Sequence, residues 1–169
     1  MKFEKKIFKN GLRAVVAPMK DTQATTLWVL FGTGSKYETK RLSGISHFLE
    51  HLFYKGTKSR PRPDQIAREL DRIGAQKNAF TSKEYTGYYV KAAAKHFDVG
   101  LDVVSDILLE PLFKKEEIEK ERGVILQEIA MYEDNPQRQA YDLFEDLMYG
   151  DQPAGWDTAG IPETVNNIK

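Results

Sequence analysis

The chain has 169 residues, 41% of them hydrophobic and 30% charged, which is enough for one well-filled soluble domain and short for two. Its 25 basic and 25 acidic residues give a formal net charge of zero, which argues against nucleic acid as a partner because binding to phosphates needs a basic surface. The absence of cysteine excludes disulfides and cysteine-based zinc sites, so any metal here must use histidine and carboxylate ligands.

The first 93 residues are predicted to mix strands with two helices. Asn10-Gly11 stands between two strand-like runs and is a strong signal for a β-hairpin. Thr25–Phe31 is rich in β-branched and aromatic residues and is interpreted as a buried strand. The remaining predicted elements are a helix capped by Ser43 and running to about residue 54, a helix that begins at Pro63 and ends at Gly74, and two strands within residues 76–93.

The second half is predicted to be helical. Helical spacing of apolar residues covers 95–109, 116 to about 133, and about 136–149, and Pro162-Glu163-Thr164 resembles the first turn of a further helix. Early strands, then helices with a second hairpin between them, predict an α+β fold with a largely antiparallel sheet and helices packed on one face.

A membrane helix needs about 18 uninterrupted apolar residues, and the sequence contains no such stretch. The first residues also lack the apolar run of a signal peptide. We therefore expect no membrane partner and a cytoplasmic location.

Residues 43–54 give the predicted helix a face with unusual chemistry. At about 100° per residue, His47, Glu50, His51 and Tyr54 fall within one arc, and apolar residues that can pack on a sheet occupy the opposite side. Two histidines four residues apart can reach one ion, and a carboxylate one turn away can deprotonate a water at the metal. A chance occurrence with exposed histidines is the alternative.

A third ligand is available from the helix predicted at 116–133. Glu121 and Glu128 are two turns apart at the edge of its apolar stripe. A carboxylate that faces a core is costly unless a cation pairs with it. A metal ion shared with His47 and His51 would supply that cation.

The HFLEH sequence at 47–51 matches the H-x-x-E-H signature of inverzincins. More closely, the chain resembles the pitrilysin/insulinase family of metallopeptidases, which includes insulin-degrading enzyme and the mitochondrial processing peptidases. The resemblance covers nearly the whole chain, through GSKYE (34–38), GISHFLEHLFYKGT (44–57), NAFTSKEYTGYY (78–89), ERGVILQEI (121–129) and GWDTAGIPETV (155–165).

The resemblance implies a zinc-dependent endopeptidase that acts on extended or unfolded peptides. In it His47, His51 and Glu128 would bind Zn²⁺, although manganese or cobalt could occupy such a site. Glu50 would activate the attacking water, and Glu121 would be a second acidic residue that supports the site. Asn78, Ala79, Phe80 and Thr81 would form an exposed edge strand that receives substrate through backbone hydrogen bonds, unless they are an ordinary sheet edge.

The resemblance also implies that residues 1–169 are an N-terminal catalytic domain, truncated at its C-terminal end. We expect a missing C-terminal half or partner subunit that closes a chamber, weak or absent activity of the chain alone, and self-association through uncovered surfaces. A non-catalytic peptide-binding or scaffold subunit, or an inactive fragment, is the alternative. Tyr54 stands where phenylalanine is expected and could bring a hydroxyl near the metal, whereas His96 is expected to be structural or exposed.

Overall fold

The computed structural model of this chain describes residues 2–169. In chain order the elements are β1 (Glu4–Ile7), β2 (Arg13–Val16), β3 (Ala24–Phe31), α1 (Ile45–Phe53), α2 (Pro63–Arg72), β4 (Gln76–Thr81), β5 (Thr86–Ala93), α3 (Phe97–Leu109), α4 (Lys115–Glu133), α5 (Pro136–Tyr149) and α6 (Pro162–Asn167). All strand pairs are antiparallel within these residues, so the predicted α+β class is confirmed.

The main sheet has the strand order β3-β5-β4, which makes β3 and β4 its edges. β1 and β2 form a separate hairpin that turns at Asn10 and Gly11, as predicted, and Gly11 adopts the left-handed backbone conformation that favours glycine. The prediction that β3 is buried is wrong, because Trp28 and Leu30 are 49% and 60% exposed. Strand alternation sends these two side chains to the sheet face opposite the helices.

Helices α2 and α3 pack on the inner face of the main sheet, as the predicted architecture requires. Tyr88 and Val90 of the central strand point to this face and are buried. The apolar side chains that pack around them come from both helices: Ile66, Leu70, Val103, Val104 and Ile107. This layer forms one of two apolar cores.

The second core lies around α1, which is placed between β4 and α4. Phe48 and Leu52 of α1 pack against Ile125 and Ile129 of α4 and against the C-terminal residues, not against the sheet as predicted. The sheet contacts of α1 come instead from Phe53 and Tyr54 at its C-terminal end. This arrangement leaves a third face of α1 directed into the gap between β4 and α4.

The start of α1 differs from the predicted Ser43 cap. Gly44 precedes the helix in a left-handed conformation (φ 92°), and the Glu38 carboxylate accepts hydrogen bonds from the backbone N–H groups of Gly44 and Ser46, each at 2.7 Å. A carboxylate is favourable there because a helix N-terminus carries unpaired N–H donors. A Cβ atom on Gly44 would lie 2.5 Å from the Ala159 carbonyl oxygen, so only glycine lets the tail pass this closely.

Large apolar side chains remain exposed on the β1–β2 hairpin and on α5. Ile7 and Val16 of the hairpin are 64% and 59% exposed, and Phe144 and Leu147 of α5 are 60% and 85% exposed. Exposed clusters of large apolar side chains usually mark surfaces on which other protein packs. Within residues 2–169, no helix combines the length and apolar character needed to cross a membrane.

Candidate metal centre

Two histidines of α1 and a glutamate of α4 converge in the gap between these helices. Potential ligand atoms of His47, His51 and Glu128 all lie within 4.8 Å of one another. The Nε2 atoms of His47 and His51 are 3.8 and 3.5 Å from the same oxygen, Oε2 of Glu128. The structure therefore brings the three predicted metal ligands to one point.

The spacing of these atoms fits a zinc ion. Tetrahedral zinc, with bonds of about 2.0–2.1 Å, keeps its ligand atoms about 3.3–3.4 Å apart. The two nitrogen–oxygen distances of 3.8 and 3.5 Å are close to this value. Two imidazoles and one carboxylate, with a fourth position open to water, also form a recurrent ligand set of catalytic zinc sites.

The two imidazoles are supported differently. Burial lowers the pKa of His47, and the charge of the neighbouring His51 lowers it further, which keeps His47 in the neutral form that binds metal. Nδ1 of His47 is buried and has no hydrogen-bond partner within residues 2–169. Nδ1 of His51, in contrast, lies 3.2 Å from Oε2 of Glu121. A donor N–H at Nδ1 leaves the Nε2 lone pair of His51 free for a ligand bond.

Glu121 contacts His51 but does not belong to the group of converging ligand atoms. It lies two turns before Glu128 on α4 and is 6% exposed. Its Oε1 atom pairs with the Lys55 ammonium at 2.7 Å while Oε2 faces His51. The supporting role expected for Glu121 stays a prediction.

Tyr132 of α4 is a further residue at the site, and it is not among the candidates predicted from the sequence. Its hydroxyl donates a hydrogen bond to Oε1 of Glu128, so that Oε2 is the oxygen that faces the histidines. This hydrogen bond and burial together raise the pKa of Tyr132 to about 12, so the hydroxyl keeps its proton. The four-residue spacing between Glu128 and Tyr132 is the signal that could have revealed this pair.

Glu50 lies on the same face of α1 and is tied to the sheet. The Thr81 hydroxyl at the end of β4 donates a hydrogen bond of 2.6 Å to Oε2 of Glu50. Burial raises the pKa of the Glu50 carboxyl, and the Thr81 hydrogen bond and the nearby His51 oppose this change. A carboxyl group with a raised pKa, held beside a metal centre, suits a residue that takes up and returns a proton.

The four residues predicted to receive substrate lie on an edge strand, but their side chains point to both faces of the sheet. Asn78 and Ala79 line a cavity of about 260 Å³ next to Glu50. Thr81 points inward to Glu50, whereas the Phe80 ring lies on the outer face, 5.7 Å from the Trp28 ring. One substrate side chain therefore cannot contact the side chains of all four residues. An extended substrate can, however, form hydrogen bonds with the backbone of the edge strand β4.

Tyr54 and His96 both lie outside the group of converging ligand atoms. The Tyr54 hydroxyl donates to the backbone carbonyl of Asn78 at 3.4 Å, so its partner is β4 and not a metal ligand. Burial, with the nearby Glu50 charge, raises the pKa of Tyr54 to about 12. His96 is half-buried at the start of α3 and does not belong to the ligand group.

Comparison with known proteins shows that the sequence of this chain is similar to that of a peptidase family. Residues 14–160 match the family model described as Insulinase (Peptidase family M16). The chain is 43% identical over 157 residues to the uncharacterized zinc protease YmxG of Bacillus subtilis, an alignment that covers 93% of this chain and 38% of that protein. The chain thus spans well under half the length of this relative.

Solved structures show the same fold. A protease from Helicobacter pylori superposes with a TM-score of 0.93 at 30% identity, over 99% of this chain and 40% of that one. A peptidase M16 inactive domain from Pseudomonas fluorescens superposes with a TM-score of 0.90, over 100% of this chain and 41% of that one. Its 14% identity shows a shared fold alone, so this fold also occurs in an inactive peptidase domain.

Proposed function

Because the chain belongs to the insulinase family (peptidase family M16), we propose that it carries the metal centre of a zinc-dependent endopeptidase. One observation carries this proposal, namely the meeting of two Nε2 atoms with the Glu128 carboxylate within 4.8 Å. The family membership supports peptidase chemistry, and similarity to zinc proteases of Bacillus subtilis and Streptomyces coelicolor supports zinc as the metal.

Each residue of the centre has a separate role in the proposed peptide hydrolysis. Zinc held by His47, His51 and Glu128 would polarise the scissile carbonyl and lower the pKa of a water molecule. Glu50 would accept a proton from the attacking water and later pass it to the leaving amine. The Thr81 hydrogen bond to Oε2 restrains the Glu50 carboxylate, and Oε1 would then be the oxygen available to accept the proton.

We propose that the substrate binds as an extended strand along β4. This edge lies next to Glu50, because Thr81 at its end bonds the Glu50 carboxylate. An added strand makes its hydrogen bonds through the backbone, so the side chains of the substrate are left free. The cavity beside Asn78 and Ala79 is open to one of those side chains.

This binding mode predicts an alternating response to backbone methylation of the substrate. Only every second N–H of a paired strand points to its neighbour, so N-methyl groups placed one by one along a cleavable peptide should lower kcat/KM at every second position, by about tenfold. The intervening positions are the matched controls. A flat profile, or one without a two-residue period, would contradict strand addition along β4.

We also propose that residues outside this chain complete the protein. The chain matches 38% of the length of its Bacillus subtilis relative, and the hairpin and α5 leave Ile7 and Leu147 largely exposed. A further part of the protein, or a partner subunit, would cover these apolar surfaces and close a chamber over the metal centre. Self-association could cover them in the isolated chain. The cytoplasmic location and the truncated C-terminal end stay predictions.

The intact, full-length protein is therefore expected to hydrolyse an extended fluorogenic peptide, whereas residues 1–169 alone turn over at least about 100-fold more slowly. A displacement of about 1 Å in a reacting group can account for a loss of this size. Removal of metal with a chelator should stop hydrolysis, and added zinc should restore it. The assay compares both proteins at equal zinc content.

Two results would change this assignment. An isolated chain as active as the intact protein would contradict the need for a second part. An intact protein that binds both zinc and peptide without cleaving the peptide would instead favour the non-catalytic scaffold role, which the shared fold with an inactive domain allows.

A further inference from the structure

Lys55 lies directly behind one of the metal ligands, on the side away from the proposed zinc ion. It comes four residues after His51 and two residues beyond the last residue of α1, Phe53. We propose that Lys55 is a positioning residue of the metal centre, which acts on His51 through Glu121. This inference rests on the proposed zinc site, because it assigns Lys55 a part in holding the ligand that binds zinc.

Three groups form a continuous chain that ends at the ligand atom. The Lys55 ammonium pairs with Oε1 of Glu121 at 2.7 Å, and Oε2 of Glu121 lies 3.2 Å from Nδ1 of His51. The opposite side of the same ring directs Nε2 toward Glu128 at 3.5 Å. The orientation of the His51 ring is therefore fixed by a carboxylate that is itself held at its other oxygen.

The Glu121 carboxylate needs this cation. Its side chain is only 8% exposed, and a buried carboxylate is costly unless a charge and hydrogen bonds compensate for the lost water. Lys55 brings a full positive charge and is itself 29% exposed. With Lys55 in place, the Oε2 atom is held where it can accept a hydrogen bond from Nδ1 of His51 and keep Nε2 free for metal.

The backbone after α1 directs Lys55 inward. Its N–H donates to the Leu52 carbonyl at 2.9 Å in a tight turn at the helix end. Gly56 follows with a φ of 122°, and a Cβ atom there would lie 2.9 Å from the Pro61 carbonyl oxygen. The chain reverses at this glycine, so Lys55 remains beside the helix and does not extend into solvent.

Other lysines near the site do not share this arrangement. Lys77 lines the cavity beside Asn78 and Ala79, as Lys55 does, but its ammonium is paired with Asp71 at 3.7 Å. Lys58, three residues after Lys55, is 70% exposed and pairs with Glu110 outside the metal centre. Lys58 is thus a matched control, because it has the same side chain on the same segment without a link to a ligand.

The test measures the zinc affinity of the intact protein in a competition titration with a chromophoric chelator. The Lys55→Met variant should bind zinc about 10–100-fold more weakly than wild type, which is the range for loss of an outer-shell partner. Lys55→Arg keeps the charge and should recover most of the affinity. Lys58→Met should bind zinc as wild type does.

A double-variant cycle separates positioning from general structural damage. If Lys55 acts through Glu121, then Lys55→Met combined with Glu121→Gln should bind zinc no more weakly than Glu121→Gln alone. Full additivity of the two effects, or wild-type affinity of Lys55→Met, would overturn the inference while the zinc site stands. A wild-type protein without zinc affinity would overturn the proposed function and this inference with it.

Discussion

Replacing Glu50 with glutamine in the intact protein is expected to lower kcat for peptide hydrolysis by about 10²–10⁴-fold, while zinc binding is retained. This is the range that general acid–base groups contribute, and an amide cannot accept the proton of the attacking water. Glutamine keeps the size of the side chain, and its amide oxygen can still accept the hydrogen bond from Thr81. The measurement pairs a peptide hydrolysis assay with the zinc content of the same sample.

Glu116→Gln is the matched control, because Glu116 is an exposed residue in the first turn of α4. It should keep both wild-type zinc content and wild-type activity. A Glu50→Gln variant that cleaves peptides at the normal rate would remove Glu50 from the mechanism. Loss of zinc together with activity would show that Glu50 acts on the metal site and not as the base.

Glu50→Gln is also expected to change the melting temperature of the metal-free protein. Observing this change would show that the variant is correctly folded. Because burial raises the pKa of Glu50, the folded metal-free protein disfavours the carboxylate relative to the unfolded chain. Wild-type stability therefore falls as the pH rises through the raised pKa, and Glu50→Gln should melt at a higher temperature than wild type at neutral pH. The difference in melting temperature should disappear below pH 4.5, the ordinary pKa of glutamate, because residue 50 is then neutral in wild type as well as in the variant.

Replacing Glu128 with alanine is expected to reduce zinc from about one ion per chain to a trace. Catalytic zinc holds three protein ligands, and the two histidines alone leave the ion with two. The loss of affinity should exceed the roughly 10–100-fold that an outer-shell change costs. Metal analysis of the purified intact protein measures this directly, and peptide hydrolysis should fall in proportion to the zinc lost.

Glu133→Ala is the control for this variant, since Glu133 is an exposed residue at the end of the same helix. An unchanged zinc content in Glu128→Ala would remove Glu128 from the ligand set. Glu121 would then be the remaining carboxylate of α4 next to His51, at 3.2 Å, and the supporting role assigned to it would be wrong. Loss of zinc in the Glu133 control as well would indicate damage to α4.

Features set by local geometry could be predicted from the sequence. The placement of His47, Glu50 and His51 on one face follows from helical periodicity alone, because all three lie within five residues of one helix. The hairpin at Asn10-Gly11 follows from a turn that glycine favours, and the structure contains it. The third metal ligand, Glu128, lies on another helix, and its prediction relied on the resemblance to a known family.

Periodicity could not decide between the two carboxylates of α4. Glu121 and Glu128 are seven residues apart, so they point the same way but stand about 10.5 Å apart along the helix axis. Which of them meets the Nε2 atoms depends on where α4 lies against α1, and this is set by the packing of Phe48 and Leu52 on Ile125 and Ile129. The fold places Glu128 at Nε2 and Glu121 at Nδ1 of His51.

The supporting groups of the site were decided by tertiary structure in the same way. Glu38 caps α1 from outside the helix, Thr81 reaches Glu50 from the sheet, and Lys55 joins α1 to Glu121 on α4. Glu38 precedes the N–H groups that it caps by only six and eight residues, but Thr81 and Glu121 are brought to Glu50 and Lys55 by packing between elements that are distant in sequence. The sequence by itself thus determined the chemical groups of one helix face and their spacing, because those depend on local backbone geometry. Only the tertiary structure decided which distant side chains hold these groups, because long-range packing sets those distances.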